Sequence, residues 1–131
     1  LRGWKVETQK QGHYLVDDHK GRRIFALRPD LYLSSGSIKI VADTKWKLIN
    51  ENDRANNYGI SQADIYQLFG YCKKILDQPN TAEVWLIYPR QDNFQGPLAE
   101  FIYDGNGNSL RVLPFDLDAG VLRGIDTEVA G

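Results

Sequence analysis

Two aspartates and a lysine are the residues of this chain best placed to do chemistry. Asp30, Asp43 and Lys45 lie in the stretch 27–46, where Leu-Arg-Pro-Asp-Leu-Tyr-Leu, a Ser-Ser-Gly-Ser cluster and Ile-Lys-Ile-Val-Ala-Asp-Thr-Lys-Trp follow one another. A hard cation such as Mg²⁺ takes oxygen ligands and is typically held by one or two carboxylates together with substrate phosphate and water. So held, it activates water and stabilises charge on a phosphodiester undergoing in-line attack. Lys45, two residues after Asp43, projects from the same side of a strand. There its ammonium can orient the attacking water or neutralise the charge that develops on phosphorus. The backbone carbonyl of Thr44, between the two, is a further oxygen ligand.

A β-hairpin is needed to bring these groups together, and the spacing predicts one. Ser34 to Ser37 is a polar turn containing Gly36, set between two alternating segments. With Ser35 and Gly36 as loop residues, Ser34 pairs with Ser37, Leu33 with Ile38 and Asp30 with Val41. Directly opposed residues share a face. One face then carries Leu27, Leu31, Leu33, Ile38, Ile40 and Ala42; the other carries Arg28, Asp30, Tyr32, Lys39, Val41, Asp43 and Lys45. Asp30 and Asp43 become diagonal neighbours, roughly 7–8 Å apart at the backbone, close enough for both carboxylates to lean onto one divalent cation. A slip of one residue would mix the two faces, so the pattern supports the pairing parity.

Pro29-Asp30, a gap of twelve residues, and Asp43-Thr44-Lys45 resemble the PD-(D/E)xK signature of the restriction-endonuclease-like nucleases. The resemblance extends through Leu-Arg-Pro-Asp at 27–30, Asp-Thr-Lys-Trp-Lys at 43–47, Ile-Ser-Gln-Ala-Asp-Ile-Tyr-Gln-Leu-Phe-Gly-Tyr at 60–71 and Val-Trp-Leu-Ile-Tyr-Pro at 84–89. In that order, these segments look like the nuclease domain of McrC, the cleavage subunit of the modified-cytosine restriction system McrBC, over about residues 10–117. The resemblance implies Asp30 and Asp43 as ligands of Mg²⁺ or Mn²⁺, with Thr44 contributing its carbonyl and Lys45 serving catalysis. It further implies double-stranded DNA as substrate and an McrB-like, GTP-driven AAA+ partner that supplies recognition of methylated DNA. Two features depart from the commoner pattern. The second acidic position is Asp rather than Glu, and no acidic ligand is assigned upstream, where Glu7 is the one candidate before Asp17.

The remainder of the chain fits an ordinary globular domain. Its 131 residues are 42% hydrophobic and 25% charged, enough for one domain with a real core. Methionine is absent even at position 1, as expected of a fragment of a longer chain. No stretch approaches 18 apolar residues, so no membrane span is expected. A single cysteine, Cys72, excludes an internal disulfide and suits a reducing, cytoplasmic compartment. The net charge of −1 conceals an uneven distribution. Residues 1–47 hold ten Lys or Arg against five Asp or Glu, and residues 48–131 hold six against twelve. The positive half contains the proposed site and would draw phosphates toward it.

Taken along the chain, residues 3–9 are ambiguous, and His13–Val16 and Arg22–Ala26 read as strands around an Asp-Asp-His-Lys-Gly turn. His13 and His19 lack ligand spacing and read as surface or structural residues. Lys20, Arg22 and Arg23 form a basic tip, and Arg28 shares the aspartates' face and can grip a phosphate. Lys47 to Gly59 is a polar connection long enough to be a mobile or substrate-contacting loop. Ser61 is a helix N-cap with Asp64 three positions on. The helix runs to about Asp77, with Ile65, Leu68, Phe69, Cys72, Ile75 and Leu76 as its apolar stripe, expected to cover the Leu31/Ile40 face of the hairpin. Gln62 and Tyr66 are neighbours on that helix. Their Gln-x-x-x-Tyr spacing resembles a motif of RecB-type members of the superfamily, which implies a supporting or DNA-contacting role.

Ala82–Tyr88 is near-continuously apolar, the mark of a central strand buried on both faces and reached by a crossover. Glu100–Tyr103 and Leu110–Phe115 read as a hairpin around Asp104–Asn108, and the tail after Asp118 as short helix or coil. The fold expected is α/β, a restriction-endonuclease-like mixed β-sheet flanked by helices, forming one PD-(D/E)xK domain over 1–131. The expected function is metal-dependent endonucleolytic cleavage of DNA in an McrC-like subunit. The alternatives are a RecB-like exonuclease or repair nuclease, or a non-catalytic DNA-binding or assembly module of the same fold.

Overall fold

The computed structural model describes residues 5–8, 12–36, 38–74, 83–102 and 109–124. Along the chain these form β1 (Lys5–Thr8), β2 (His13–His19), β3 (Arg22–Leu27), β4 (Leu31–Ser35), β5 (Ile38–Thr44), a 3₁₀ segment (Arg54–Gly59) and α1 (Gln62–Lys74). They continue as β6 (Glu83–Pro89), β7 (Phe101–Ile102), β8 (Ser109–Asp116) and β9 (Val121–Leu122). The main sheet has the order β1-β4-β5-β6-β8-β7, and β9 pairs with the far end of β8. Its strands are mixed in direction. β4 and β5 are antiparallel, whereas β5, β6 and β8 run parallel. Parallel neighbours need a crossover, and α1 lies in the connection from β5 to β6. The structure thereby confirms the α/β mixed sheet and the central placement of β6, whose Val84 to Tyr88 are all buried.

The sheet buries both faces. Val41, Val84, Leu86, Leu110 and Val112 form one core with Leu68, Tyr71 and Cys72 of α1. Leu33, Ile40, Ala42, Trp85, Ile87 and Leu113 form the other. The helix therefore packs on the face that carries the aspartates, and the expectation that it covers the Leu31/Ile40 face is corrected. Hydrophobicity alone pointed to the leucine-isoleucine side. The face under a β-α-β crossover is set instead by the crossover's hand, and Tyr32 and Val41 supply enough apolar surface there. Of the predicted stripe, Leu68 and Cys72 are buried and Ile65 packs against the same core. Asp64, Leu68, Tyr71 and Cys72 point inward, whereas Phe69 is exposed beneath the Lys73 ammonium. Ile75 and Leu76 lie outside the described residues.

The hairpin register is displaced by two residues from the predicted one. Ser35 pairs with Ile38, Leu33 with Ile40 and Leu31 with Ala42. Because side chains alternate with period two, this displacement keeps the residues of β4 and β5 on their predicted faces, whereas Leu27, expected on the Leu31/Ile40 face, ends β3 and packs in the core with Val41 and Leu68. Extending the register one step beyond β4 sets Asp30 directly across from Asp43 instead of diagonal to it.

β2 and β3 stay out of the main sheet and form a two-stranded ribbon of their own. Lys20 and Gly21, both at positive φ, make its turn, a two-residue geometry whose twist matches the strands. The ribbon lies on α1. A Cβ at Gly70 would stand 3.7 Å from Leu27 and 3.8 Å from Leu15, so a small residue allows this approach, and Lys74 pairs with Asp17 at 2.9 Å.

The connection 47–59, expected as a mobile or substrate-contacting loop, is tied by hydrogen bonds to residues 91 and 93. Ile49 is buried, and its N–H donates to Gln91 Oε1 at 3.0 Å. The Glu51 N–H donates to the Asn93 carbonyl at 2.7 Å. Residues 5–8 resolve as an edge strand on β4. Where short helix or coil was expected after Asp118, the described part of the tail, to residue 124, contains β9; residues 125–131 and the Asp104–Asn108 turn lie outside the described residues. Among the described residues, no helix is long and apolar enough to cross a membrane.

Candidate active site

Three adjacent backbone positions at the end of β5 build the site. Asp43 is the penultimate residue of β5 and is flanked on one side by β6, with which it pairs at Leu86. Its side chain is 5% exposed. Asp30 arrives from the other side at the entrance to β4. The Asp30 N–H donates to Asp43 Oδ1 at 2.8 Å. Asp30 Oδ2 in turn accepts from the Thr44 N–H at 2.8 Å and from the Thr44 hydroxyl at 2.9 Å. The two acidic residues are thus locked by reciprocal bonds between side chain and backbone. Such bonds fix carboxylate orientation more firmly than a diagonal pairing would.

Lys45 leaves the strand with its N–H donating to the Ile87 carbonyl at 2.8 Å. Its ammonium lies 3.9 Å from Asp43 Oδ2 and donates to Gln67 Oε1 at 3.1 Å. The structure therefore gathers Asp30, Asp43, Thr44 and Lys45 as the sequence spacing predicts.

The helix supplies residues to which the sequence assigns no role at the site, Asp64 being expected only beside the Ser61 cap. The Tyr71 hydroxyl hydrogen-bonds the Asp43 carboxylate. Asp64, buried on the first turn, has Oδ1 3.5 Å from Lys45 Nζ and Oδ2 3.2 Å from Lys47 Nζ. Ser61 caps the helix by accepting from the Ala63 N–H at 3.2 Å, which leaves Asp64 free to face the lysines. Gln67 and Tyr71 are themselves a Gln-x-x-x-Tyr pair, five residues beyond Gln62 and Tyr66 and therefore on a different side of the helix. The signal was present twice, and only the helix phase decides which copy faces Asp43. Gln62 and Tyr66 line a separate groove of about 490 Å³ with Arg54, Asn57, Tyr58 and Phe101. Arg28 is exposed on the approach to Asp30.

Burial is the main influence on the electrostatics. Desolvation pushes the Asp43 carboxyl up to about 6, with the Asp30 charge adding to the rise. The Asp30 N–H, the Lys45 ammonium and the Tyr71 hydroxyl oppose it. Burial, and then the charge of Asp43, push the Tyr71 phenol well above its ordinary range, so it remains a hydrogen-bond donor. The buried Tyr88 hydroxyl, which has no hydrogen-bond partner among the described residues, is raised by burial and by Asp64.

A buried carboxylate that is costly to ionise, beside a second carboxylate, is an environment that a cation relieves. Among the described residues, no three His, Cys, Asp or Glu side chains gather as a metal cluster. The available donors are the two aspartates and the Thr44 carbonyl. A strand residue turns its N–H and C=O toward the same neighbour, and the Thr44 N–H faces Asp30. This set is all oxygen and contains two carboxylates, which suits Mg²⁺ or Mn²⁺ rather than a softer metal.

A mixed sheet with parallel centre, a crossover helix on one face and paired acidic residues at a strand end define a restriction-endonuclease-like α/β domain. Residues 1–89 match the family described as McrBC 5-methylcytosine restriction system component, and the chain belongs to that family. Among solved structures it is similar to a chain of the half-complex refined from a tetradecameric assembly of Thermococcus gammatolerans McrB AAA+ hexamers with bound McrC. The TM-score is 0.62 at 15% identity, over 97% of this chain and 26% of that one. The likeness is one of fold, and the chain spans about a quarter of the length of its structural neighbour. No curated protein matches it.

Proposed function

We propose that the chain is the metal-dependent nuclease domain of an McrC-like subunit, hydrolysing DNA phosphodiester bonds. The observation that carries this reading is the reciprocal lock between Asp30 and Asp43–Thr44, with the Lys45 ammonium beside it. Two carboxylates pressed together with one of them desolvated have no evident structural benefit, because apolar residues would fill the same position at lower cost. In this reading Asp30, Asp43 and the Thr44 carbonyl hold Mg²⁺ or Mn²⁺. A bound divalent ion would place positive charge against the scissile phosphate and polarise the attacking water. Lys45 orients that water and offsets charge developing on the phosphate oxygens. Tyr71 and Gln67 hold Asp43 and Lys45 in place. Arg28, Gln62 and Tyr66, outside this cluster, contact double-stranded DNA.

Family membership and the neighbour's assembly with McrB AAA+ hexamers support a corresponding partner here, an McrB-like GTPase that selects methylated DNA and activates cutting in the cytoplasm. The test is nicking of supercoiled plasmid by the intact protein in Mg²⁺ or Mn²⁺, alone and with such a partner. Cleavage that disappears in Asp43→Ala and Asp30→Ala is the expected result. Cleavage that persists in both variants would overturn the assignment of the site.

A further inference from the structure

Asp64 is a buried carboxylate with no place in the metal-binding set, and its geometry is hard to explain as a helix cap. In the first turn of α1 an acidic side chain can interact favourably with the helix N-terminus while staying in solvent. Asp64 instead turns inward, its side chain only 10% exposed, although burying a charge is costly unless it is paired. Its two oxygens are divided between two cations, Oδ1 at 3.5 Å from Lys45 and Oδ2 at 3.2 Å from Lys47. A lysine ammonium sits on a flexible four-carbon stem, and it orients a water only if it is itself held. Asp43 does this poorly, at 3.9 Å, and would be occupied by a metal ion in the working enzyme. Gln67, at 3.1 Å, offers an oxygen but no charge. Asp64 is the remaining anion at the Lys45 ammonium among the described residues. It also keeps Lys47 beside Lys45 despite their like charges.

We propose that Asp64 is a positioning residue that holds the Lys45 ammonium, with Lys47 alongside, in place to meet the scissile phosphate. The inference rests on the nuclease reading above. Two measurements on the intact protein separate it from that reading. In plasmid cleavage with Mn²⁺, Asp64→Asn lowers kcat about tenfold, because misplacing a catalytic group costs rate, while KM stays within about twofold. Asp64→Glu, which keeps the charge but displaces it, lowers kcat about threefold and gives a readable variant should Asp64→Asn fail to fold. An unchanged kcat in either folded variant overturns the proposal. Urea unfolding of the metal-free protein completes a double-mutant cycle between Asp64→Asn and Lys45→Met. The expected result is a combined loss smaller than the sum of the single losses, and strict additivity overturns the proposal. If the cycle is coupled but wild type cuts no DNA under any condition, the nuclease reading fails while the link from Asp64 to Lys45 stands.

Discussion

Asp43 shows why a residue suited to its chemistry weakens the fold that carries it. Its carboxyl titrates near 6 in place of the ordinary 3.8. Between these values the folded protein binds more protons than the unfolded chain, so stability falls as pH rises through that window and stays low above it. The gap corresponds to about 3 kcal/mol for a group this well buried. Asp43→Asn, which can still accept the Asp30 N–H, is therefore expected to stabilise the metal-free protein by about 1–3 kcal/mol at pH 8. At pH 4 the expected gain is close to zero. Urea denaturation at the two pH values checks this. A variant that is less stable than wild type at pH 8 would mean that Lys45, Tyr71 and the Asp30 amide outweigh the desolvation.

At the scale of elements, α1 is decisive. Thirteen residues present Gln67 and Tyr71 to Lys45 and Asp43 at the end of β5 and Gln62 and Tyr66 to a separate groove. The two pairs have identical spacing, so substitutions at them should separate cleanly in kinetics. Gln67→Ala and Tyr71→Phe are expected to lower kcat about tenfold through misplacement of Lys45 and Asp43. Gln62→Ala and Tyr66→Ala should act on KM, leaving kcat within about twofold. Steady-state cleavage of a short duplex distinguishes the two patterns, and the reverse ranking would transfer the supporting role to the first pair. The ribbon of β2 and β3 belongs to this scale too. Its contact at Gly70 braces the same helix, and Leu27 joins the core that the helix shares with the sheet.

For the whole molecule, the destabilised site and a bound cation are coupled by mass action. A ligand that binds only the folded state at 100 times its dissociation constant stabilises by about 2.7 kcal/mol. Mn²⁺ is expected to raise the unfolding midpoint in urea accordingly, with the rise absent in Asp43→Ala. An equal rise in wild type and Asp43→Ala would place the cation elsewhere. The charge asymmetry acts on the same scale. The lysine- and arginine-rich first 47 residues include Asp30, Asp43 and Lys45, so this acidic centre lies within the positively charged part of the chain.

The sequence by itself determined which side chains share a face. Alternation along β4 and β5 has period two, and that parity survived a register displaced by two residues. The central strand β6 was legible for a similar reason, since a run that is apolar on both sides fits only where both faces are covered. Tertiary structure decided which face the helix covers, which of two Gln-x-x-x-Tyr pairs meets Asp43, and that Asp64 turns inward to Lys45 and Lys47. These outcomes depend on the hand of a crossover and on the rotation of α1 about its axis. Both are set by contacts between residues distant in the chain, and local spacing does not encode them.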